Sequence, residues 1–171
     1  MIGYRCTLTG DADSLPDLPL PVRSFQARRR TGEPSYLQVV IPDVSLEPGI
    51  EARPNGQIVV ERVTTEGGVE ISAVEIVRVN AEPLRTDLGA AARAITLTGY
   101  RQTTNGSPAA REIRDVMEVR QGESATVIVA AVDPAVQPGD TAQAQGLGVE
   151  FEIATVGYLV NARRATMEVS G

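Results

Sequence analysis

The chain repeats part of its own sequence, and this repeat constrains the fold more than any single residue does. The segment from Arg30 to Gly49 returns ninety residues later, from Arg120 to Gly139, with no gap. Both copies must bury their apolar residues in the same way, so a constant spacing between equivalent residues indicates a duplicated structural unit. The identical pairs include Arg30 and Arg120, Gly32 and Gly122, Glu33 and Glu123, Asp43 and Asp133, Pro48 and Pro138, and Gly49 and Gly139.

The echo continues further along the chain. After a contraction of ten residues, Gly68 to Ile71 matches Gly148 to Phe151, and the closing segment Ile95 to Gly99 is similar to Met167 to Gly171. Both copies are rich in alternating apolar residues, which is typical of strands. The repeat therefore predicts an all-β fold of two small tandem barrel-like or sandwich modules related by internal duplication, with at most one short helix.

Strand signals run through both copies. Ile2, Tyr4, Cys6 and Leu8 alternate with polar residues, which predicts a strand with one buried face and a thiol that points into the core. Further strands are expected at Arg23 to Arg30, Tyr36 to Ile41, Gln57 to Thr64, Val69 to Asn80, Ala94 to Tyr100, Ile113 to Arg120, Ala125 to Val132, Thr141 to Gln145, Val149 to Val160 and Ala165 to Ser170.

Two local irregularities are predicted. The apolar phase of the strand from Val69 to Asn80 switches near Ala73 and Val74, which indicates a bulge or a change of sheet face. The segment from Asp87 to Arg93 is the best helical candidate, because Asp can cap an Ala-rich turn, although Gly89 weakens it. We expect one turn there rather than a full helix.

The expected domain boundaries follow from the repeat and from composition. Residues 1–100 form the first β module, which includes a proline-rich arm at residues 11–22, and residues 113–171 form a second, smaller module. Residues 101–112 are polar and rich in turn formers, which is typical of a linker. A module of about 60 residues is marginal alone, so the second copy is expected to need a neighbour.

Composition removes several kinds of chemistry. The chain has no His, Lys or Trp and one Cys, so an imidazole base, a Schiff-base amine and an intrachain disulfide are all absent. The net charge of -6 repels polyphosphate, which argues against nucleic-acid binding. No apolar run is long enough for a membrane helix, and the first residues lack a signal-peptide pattern. We therefore expect a soluble, unprocessed protein without membrane or specific nucleic-acid binding.

The candidate interface lies in the first 30 residues. Residues 11–22 hold three prolines, which favour an extended strap across a neighbouring subunit, with Leu15, Leu18 and Leu20 as anchors; a plain loop is the alternative. Phe25 and the arginines that follow it can contact an acidic protein surface, or the arginines can protect a strand edge from aggregation. The arginines of this cluster are Arg28, Arg29 and Arg30.

A catalytic centre is not expected. Glu150 and Glu152 share one strand face, but side chains two residues apart on a solvated strand are a weak signal for acid–base catalysis. A small hydrolase that uses this pair is the enzymatic alternative. The residue types predict that the chain is not an enzyme, with no catalytic, cofactor-binding or metal-binding residue and no cofactor.

The chain resembles the tandem-module proteins of phage tail hubs and baseplates. The segments that carry the resemblance are Ala92 to Tyr100, Gln137 to Thr141, Gly148 to Phe151 and the closing stretch from Tyr158 to Ser170. The resemblance implies two barrel-like domains around a central channel and an oligomeric ring at the distal tail. It implies no cofactor and supplies no functional residue.

The function expected from this resemblance is structural. The chain would form part of a phage tail tip, as a homo-oligomer that contacts other tail or baseplate proteins, located in the virion after synthesis in the host cytoplasm. The alternative is a non-catalytic ligand- or carbohydrate-binding β module on a phage or cell surface, with Tyr100 or Tyr158 as the aromatic contact. Low aromatic content, six residues in all, argues against that alternative.

Overall fold

The computed structural model describes residues 1–10, 15–83, 85–87, 94–102, 104–123, 125–144 and 146–171. The chain divides into two compact units. Unit 1 comprises residues 1–25 and 36–101, and unit 2 comprises residues 26–35 and 102–171. Unit 2 therefore takes one hairpin turn from the first half of the sequence. The fold is all-β with one short helical segment, as the sequence predicts.

Unit 1 is built from an antiparallel sheet. Its strands in sheet order are β4, β8, β6, β5, β1 and β2, and β7 pairs with β8 outside this path. The first two residues of β3 also belong to unit 1. The strand bounds are β1 Ile2–Leu8, β2 Leu18–Leu20, β3 Ser24–Arg30, β4 Ser35–Ile41, β5 Gln57–Glu66, β6 Val69–Ala81, β7 Arg85–Asp87 and β8 Ala94–Arg101.

The core of unit 1 lies on the face that the alternation predicts. Cys6 and Leu8 of β1 are buried, and they pair with Val60 and Ile58 of β5, which are also fully buried. The remaining core side chains are mainly aliphatic, because the sequence offers few aromatic residues. They include Leu37, Val39, Ile41, Val77, Val79, Ile95 and Leu97.

Strands β5 and β6 form a long hairpin joined by Gly67 and Gly68, both with positive φ. Such a two-residue turn suits glycine because other residues are strained there. The register shifts twice along the pair, leaving Ile71 and Ile76 as the extra residues of β6. The sequence predicts one bulge near Ala73, and the structure has bulges on both sides of that point.

The helical segment lies between β4 and β5, a region for which the sequence predicts neither helix nor strand. A 3-10 turn at Val44–Leu46 leads into helix α1, Glu47–Glu51. Asp43 starts it, because its carboxylate accepts a hydrogen bond from the Ser45 backbone amide at 2.9 Å. At the predicted helical position, Asp87 ends strand β7, and residues 88–93 lie outside the described residues.

Unit 2 contains two groups of strands. Strands β10, β11, β15, β14 and the second part of β3 follow one another in the first, and β13, β12 and β9 form the second, in which β9 and β12 are parallel. The start of β9 lies inside the predicted linker, because Ala110 to Glu112 pair with β12. The bounds are β9 Ala110–Ile113, β10 Val116–Gln121, β11 Thr126–Ala130, β12 Thr141–Ala144, β13 Val149–Glu152, β14 Thr155–Asn161 and β15 Ala165–Ser170.

The core of unit 2 is again mainly aliphatic, with one large aromatic ring. Tyr158 is fully buried, and its hydroxyl donates a hydrogen bond to the Val136 carbonyl at 3.3 Å. Asp140 is buried as well and is held by charge and backbone contacts. The aliphatic members include Ile113, Ile128, Ala142, Ile153, Val156, Met167 and Val169.

The repeated residues adopt matching local structures. The carboxylate of Asp43 accepts from the Ser45 amide, and the carboxylate of Asp133 accepts from the Ala135 amide at 3.0 Å. The backbone amides of Leu46 and Val136, which are equivalent in the repeat, each donate to the carbonyl of their own Asp. The repeat thus corresponds to a recurring turn that follows β4 in one copy and β11 in the other.

Candidate interaction site

The proline-rich arm lies along its own unit from Leu15 onward. Leu18 and Leu20 of β2 pair with β1, and Leu20 is buried. The Arg53 guanidinium donates a hydrogen bond to the Pro16 carbonyl at 2.7 Å and ties the arm to the end of α1. Leu15 remains 39% exposed and is the most accessible of the three predicted leucine anchors. Residues 11–14 lie outside the described residues.

Phe25 also belongs to the interior of unit 1. Its side chain is buried, and its ring meets the edge of Tyr4 with centroids 5.7 Å apart. This T-shaped arrangement is a favourable aromatic geometry. Phe25 and Leu20 therefore stabilise the unit itself, and the exposed part of the predicted interface consists of Leu15 and arginines.

Strand alternation places the three arginines on two opposite faces of β3. Arg29 faces inward and donates a hydrogen bond to the hydroxyl of Tyr158. Arg28 and Arg30 are exposed on the opposite face, where their guanidinium groups lie 3.9 Å and 3.0 Å from the Glu33 carboxylate. The outward pair therefore shares one carboxylate near the β3–β4 turn.

A groove lies on the outward face of unit 2, with Arg28 on its wall. It spans β3, β14, β15, β11 and β10, and its volume is about 330 Å³. Arg120 and Arg164 line the groove together with Arg28, while Val129 and Leu159 supply apolar surface. Small-molecule pockets usually begin at about this volume. The groove has room for a few side chains of a larger partner.

The groove forms a depression at Gly157, in the middle of β14, because glycine has no side chain. Its neighbours on the same strand face, Thr155 and Leu159, both line the groove, so the gap between them is a missing side chain. A Cβ built on Gly157 would meet only two backbone oxygens, those of Ala27 and Glu168, at 3.9 Å. Its φ is not positive. Neither backbone strain nor crowding within the chain requires glycine here.

The groove carries an excess of positive charge. Arg28 is 58% exposed and its nearest carboxylate is 3.9 Å away, while Arg120 is neutralised by Glu118 at 2.8 Å. Among the described residues Arg164 has no carboxylate within salt-bridge distance. Glu168 is the acidic residue of the lining. Two weakly compensated guanidinium groups, those of Arg28 and Arg164, therefore line a groove that also contains the apolar side chains of Val129 and Leu159.

The outer part of the β5–β6 hairpin is a second exposed surface, with two different faces. On one face Arg5 bridges Glu61 and Glu70, at 2.8 Å and 2.9 Å. The other face continues the core strip outward, through Val74 and Ile2, which are 42% and 60% exposed. Because core-type residues there lie open to water, this face is typical of a surface that another molecule covers.

The tip of that hairpin is acidic and partly apolar. Glu66, Gly67, Gly68, Val69 and Glu70 are all exposed, and Val69 reaches 66%. Glu66 has no salt bridge among the described residues. The tip is only two strands wide, about 5 Å between strand axes.

Two buried groups are held in their protonated forms. Burial raises the pKa of the Cys6 thiol from 9.0 to about 12. Burial likewise raises the pKa of the Tyr158 hydroxyl from 10.0 to about 12, although the charge of Arg29 lowers it in part. A thiol with so high a pKa is a poor nucleophile.

The carboxylate pair that the sequence singles out does not form a cleft. Glu150 and Glu152 are exposed on β13, and the Gln143 side-chain amide donates to Glu150 at 3.3 Å. Within the described ranges, no group of three or more His, Cys, Asp or Glu side chains is arranged to hold a metal ion. The same part of the chain contains no helix with the length and apolar character of a membrane span.

Sequence reasoning found Arg28 but missed the rest of the groove. Arg120 and Arg164 lie far from Arg28 in sequence, and only strand pairing places them on one face. Gly157 carried a usable signal, because glycine inside a strand pattern marks a bulge or a close approach. The Glu66 to Glu70 tip was recognised only as a turn.

Comparisons with known proteins identify the fold. No family model matches the chain, and no curated protein matches it significantly. Among solved structures, it is similar to the 43 kDa tail protein of prophage MuSo2 from Shewanella oneidensis, with a TM-score of 0.61 and 6% identity over 98% of this chain and 96% of that one. A tail protein from Neisseria meningitidis gives 0.58 and 6% over 98% and 96%.

A third similar structure comes from a secretion system. The Escherichia coli c3393 protein, a component of the type VI secretion system described as similar to the T4 tail proteins gp27 and gp5, gives a TM-score of 0.54 and 7% identity over 96% of this chain and 75% of that one. The suspected resemblance to phage tail proteins is therefore confirmed at the level of fold.

Proposed function

We propose that the chain is a structural subunit of a phage-type tail, which assembles with copies of itself into a ring and contacts other tail or baseplate proteins at the tail tip. The observation that supports this most is the fold, which is shared over 98% of the chain with two tail proteins. Its place of action would be the virion, after synthesis in the host cytoplasm.

The proposed mechanism is assembly through exposed strands and side chains. Strand β6 pairs with β5 along one edge, and its other edge meets β8 only at Asn80 and Ala81 among the described residues. Unpaired strand edges offer directional backbone hydrogen bonds to a neighbouring chain. Leu15, Arg28 and Arg30 would add contacts near the arm and at the β3–β4 turn.

Assembly of the purified full-length chain tests the proposal. We expect sedimentation velocity to show a discrete ring-sized species, alone or after co-expression with proteins encoded by adjacent genes, and labelled antibody to mark the tail tip of intact particles. A chain that stays monomeric in both settings and is absent from particles would refute the proposed function.

The carbohydrate-binding alternative loses one of its two aromatic contacts. Tyr158 is 1% exposed and cannot stack on a sugar from outside. Tyr100 is 46% exposed, but its ring packs against Tyr36 with centroids 5.2 Å apart. Glycan-array binding that disappears in Tyr100→Ala would favour this alternative over the structural role.

A further inference from the structure

We propose that the arginine groove of unit 2 receives the β5–β6 hairpin tip of a second copy of the chain. This inference rests on the proposed function, because it names the contact through which copies would join. The arginine groove is the depression around Gly157 with Arg28, Arg120 and Arg164, and the tip is Glu66 to Glu70.

Gly157 is the first feature that indicates a partner in the groove. Glycine inside a strand lowers stability relative to alanine, because it loses more backbone freedom on folding and has no side chain to pack. The conformation and neighbours of Gly157 do not require it, since an added Cβ would find ordinary contacts at 3.9 Å. Interior strand glycines without such a need mark places where a ligand or another backbone approaches closely. Gly157 therefore indicates an occupant from outside the unit.

The positive charge of the groove also supports the contact, and it indicates what kind of partner binds there. Arg164 and Arg28 face solvent with little compensation, so the groove favours a partner that is acidic. The tip offers Glu66, which has no salt bridge within the described residues, and Glu70, whose single partner is exposed Arg5. The chain itself thus carries a segment whose charge complements the groove.

The exposed apolar side chains of the tip and the groove, and the narrow width of the tip, support the contact as well. Val69 at the tip is exposed, and so is Leu159 on the groove wall, beside the buried Val129 of the floor. The tip ends in the tight Gly67–Gly68 turn, so it is only two strands wide. Contact between the two would cover Val69 and Leu159 together, which adds burial to the charge attraction.

The contact would be head-to-tail, because the tip and the groove are different surfaces. Such heterologous interfaces produce rings when the rotation closes. Each copy would then give one hairpin and receive one hairpin.

Two single variants test the contact, each with a matched control. Gly157→Leu fills the groove from a position where an added Cβ meets no atom closer than 3.9 Å, and Glu66→Arg reverses the charge of Glu66 at the tip. Gln143→Leu and Glu51→Arg are the controls, because Gln143 is exposed on β12 of unit 2 outside the groove lining, and Glu51 is exposed at the end of α1. Circular dichroism melts verify folding of each variant.

We expect each test variant to weaken self-association in sedimentation velocity by at least about tenfold, while both controls behave like wild type. Mixing the two test variants should yield a one-to-one dimer and nothing larger. The Gly157→Leu copy still has a working tip and the Glu66→Arg copy a working groove, so exactly one contact can form. Added salt should weaken wild-type assembly.

Two results would overturn the inference. If wild type self-associates and both test variants do so equally well, the groove and tip are not the contact, and the proposed ring uses another surface. If wild type remains monomeric up to about 1 mM, no such contact of useful strength exists. The tail-protein role is judged separately, by binding to other tail components and by labelling of particles.

Discussion

Asp140 is fully buried, and its carboxylate is the acceptor for donors from three positions in unit 2. The backbone amides of Ala109 and Gln137 donate at 2.9 Å and 3.1 Å, and the Arg111 guanidinium donates at 3.0 Å. These contacts join the start of β9 to the turn before β12. Gly139 precedes Asp140 with a φ of 92°, which lets the turn present the carboxylate inward.

Replacement of Asp140 tests this arrangement. Asp140→Ala should lower the free energy of unfolding by about 3–5 kcal/mol, because it leaves a charged guanidinium and two amides without their buried acceptor. Urea unfolding followed by circular dichroism measures the loss. Glu112→Ala is the control, since its pair with Arg114 is exposed and should contribute about 0–1 kcal/mol. Equal effects of the two substitutions would contradict the argument.

Cys6 is the second residue whose environment predicts its behaviour. Burial holds the pKa of its thiol at about 12, so the reactive thiolate is scarce at pH 8. We expect iodoacetamide to leave the folded chain unmodified at pH 8 and to label it rapidly in urea. Mass spectrometry reads a single site, because the chain has one Cys. Rapid labelling of the folded chain would show that the thiol is accessible.

At the scale of elements, the closing strand of each repeat passes close to another strand. Gly99 of β8 lies opposite Ala81 of β6, and a Cβ there would meet the Asn80 carbonyl oxygen at 2.5 Å. Gly171, its counterpart in the repeat, approaches Glu152 of β13 as closely. Both glycines therefore lie where the backbone of another segment comes too close to admit a Cβ.

Two glycine-to-alanine substitutions in unit 1 test this close backbone approach. Gly99→Ala should destabilise the chain by about 1–3 kcal/mol, because backbone atoms must move to admit the methyl group. Gly3→Ala in β1 is the control, since its Cβ would have nothing within 4 Å and should be neutral or slightly stabilising. Thermal melts compare the melting temperatures of the two variants. An unchanged melting temperature for Gly99→Ala would refute the close backbone approach at Gly99.

At the scale of the whole molecule, each unit contains a buried acid that resists ionisation, Cys6 in unit 1 and Tyr158 in unit 2. The unfolded pKa values are 9.0 for Cys6 in unit 1 and 10.0 for Tyr158 in unit 2, and both rise to about 12 on folding. Groups whose pKa is raised by folding contribute stability in full below the unfolded value, and that stability disappears as the pH rises toward the folded value.

The urea midpoint of the chain should therefore stay level up to about pH 9 and fall between pH 9 and 12. Circular dichroism at closely spaced pH values follows the change. The double variant Cys6→Ala with Tyr158→Phe should be less stable at pH 8 but lose less stability over the alkaline range. A wild-type midpoint that is constant up to pH 11.5 would contradict the assignment.

Local patterns predicted much of the fold. The alternation in β1 and the strand patterns of the other segments depend on neighbours in sequence, so the residues themselves specify them. The same reasoning missed α1, because Glu47 to Gly49 also suits a simple turn, and it placed the β6 bulge between the two that occur. Bulge position depends on the partner strand, which a single strand's pattern does not contain.

The sequence by itself determined an all-β chain with two related halves, since period-2 burial and turn chemistry are local properties. Only the tertiary structure decided which side chains meet. It assigned the turn between β3 and β4 to unit 2, buried Phe25 and Leu20, which the sequence had suggested as interface contacts, and gathered Arg28, Arg120 and Arg164 around Gly157. Strand order brings distant residues onto one face, and strand order is set by the pairing of whole elements.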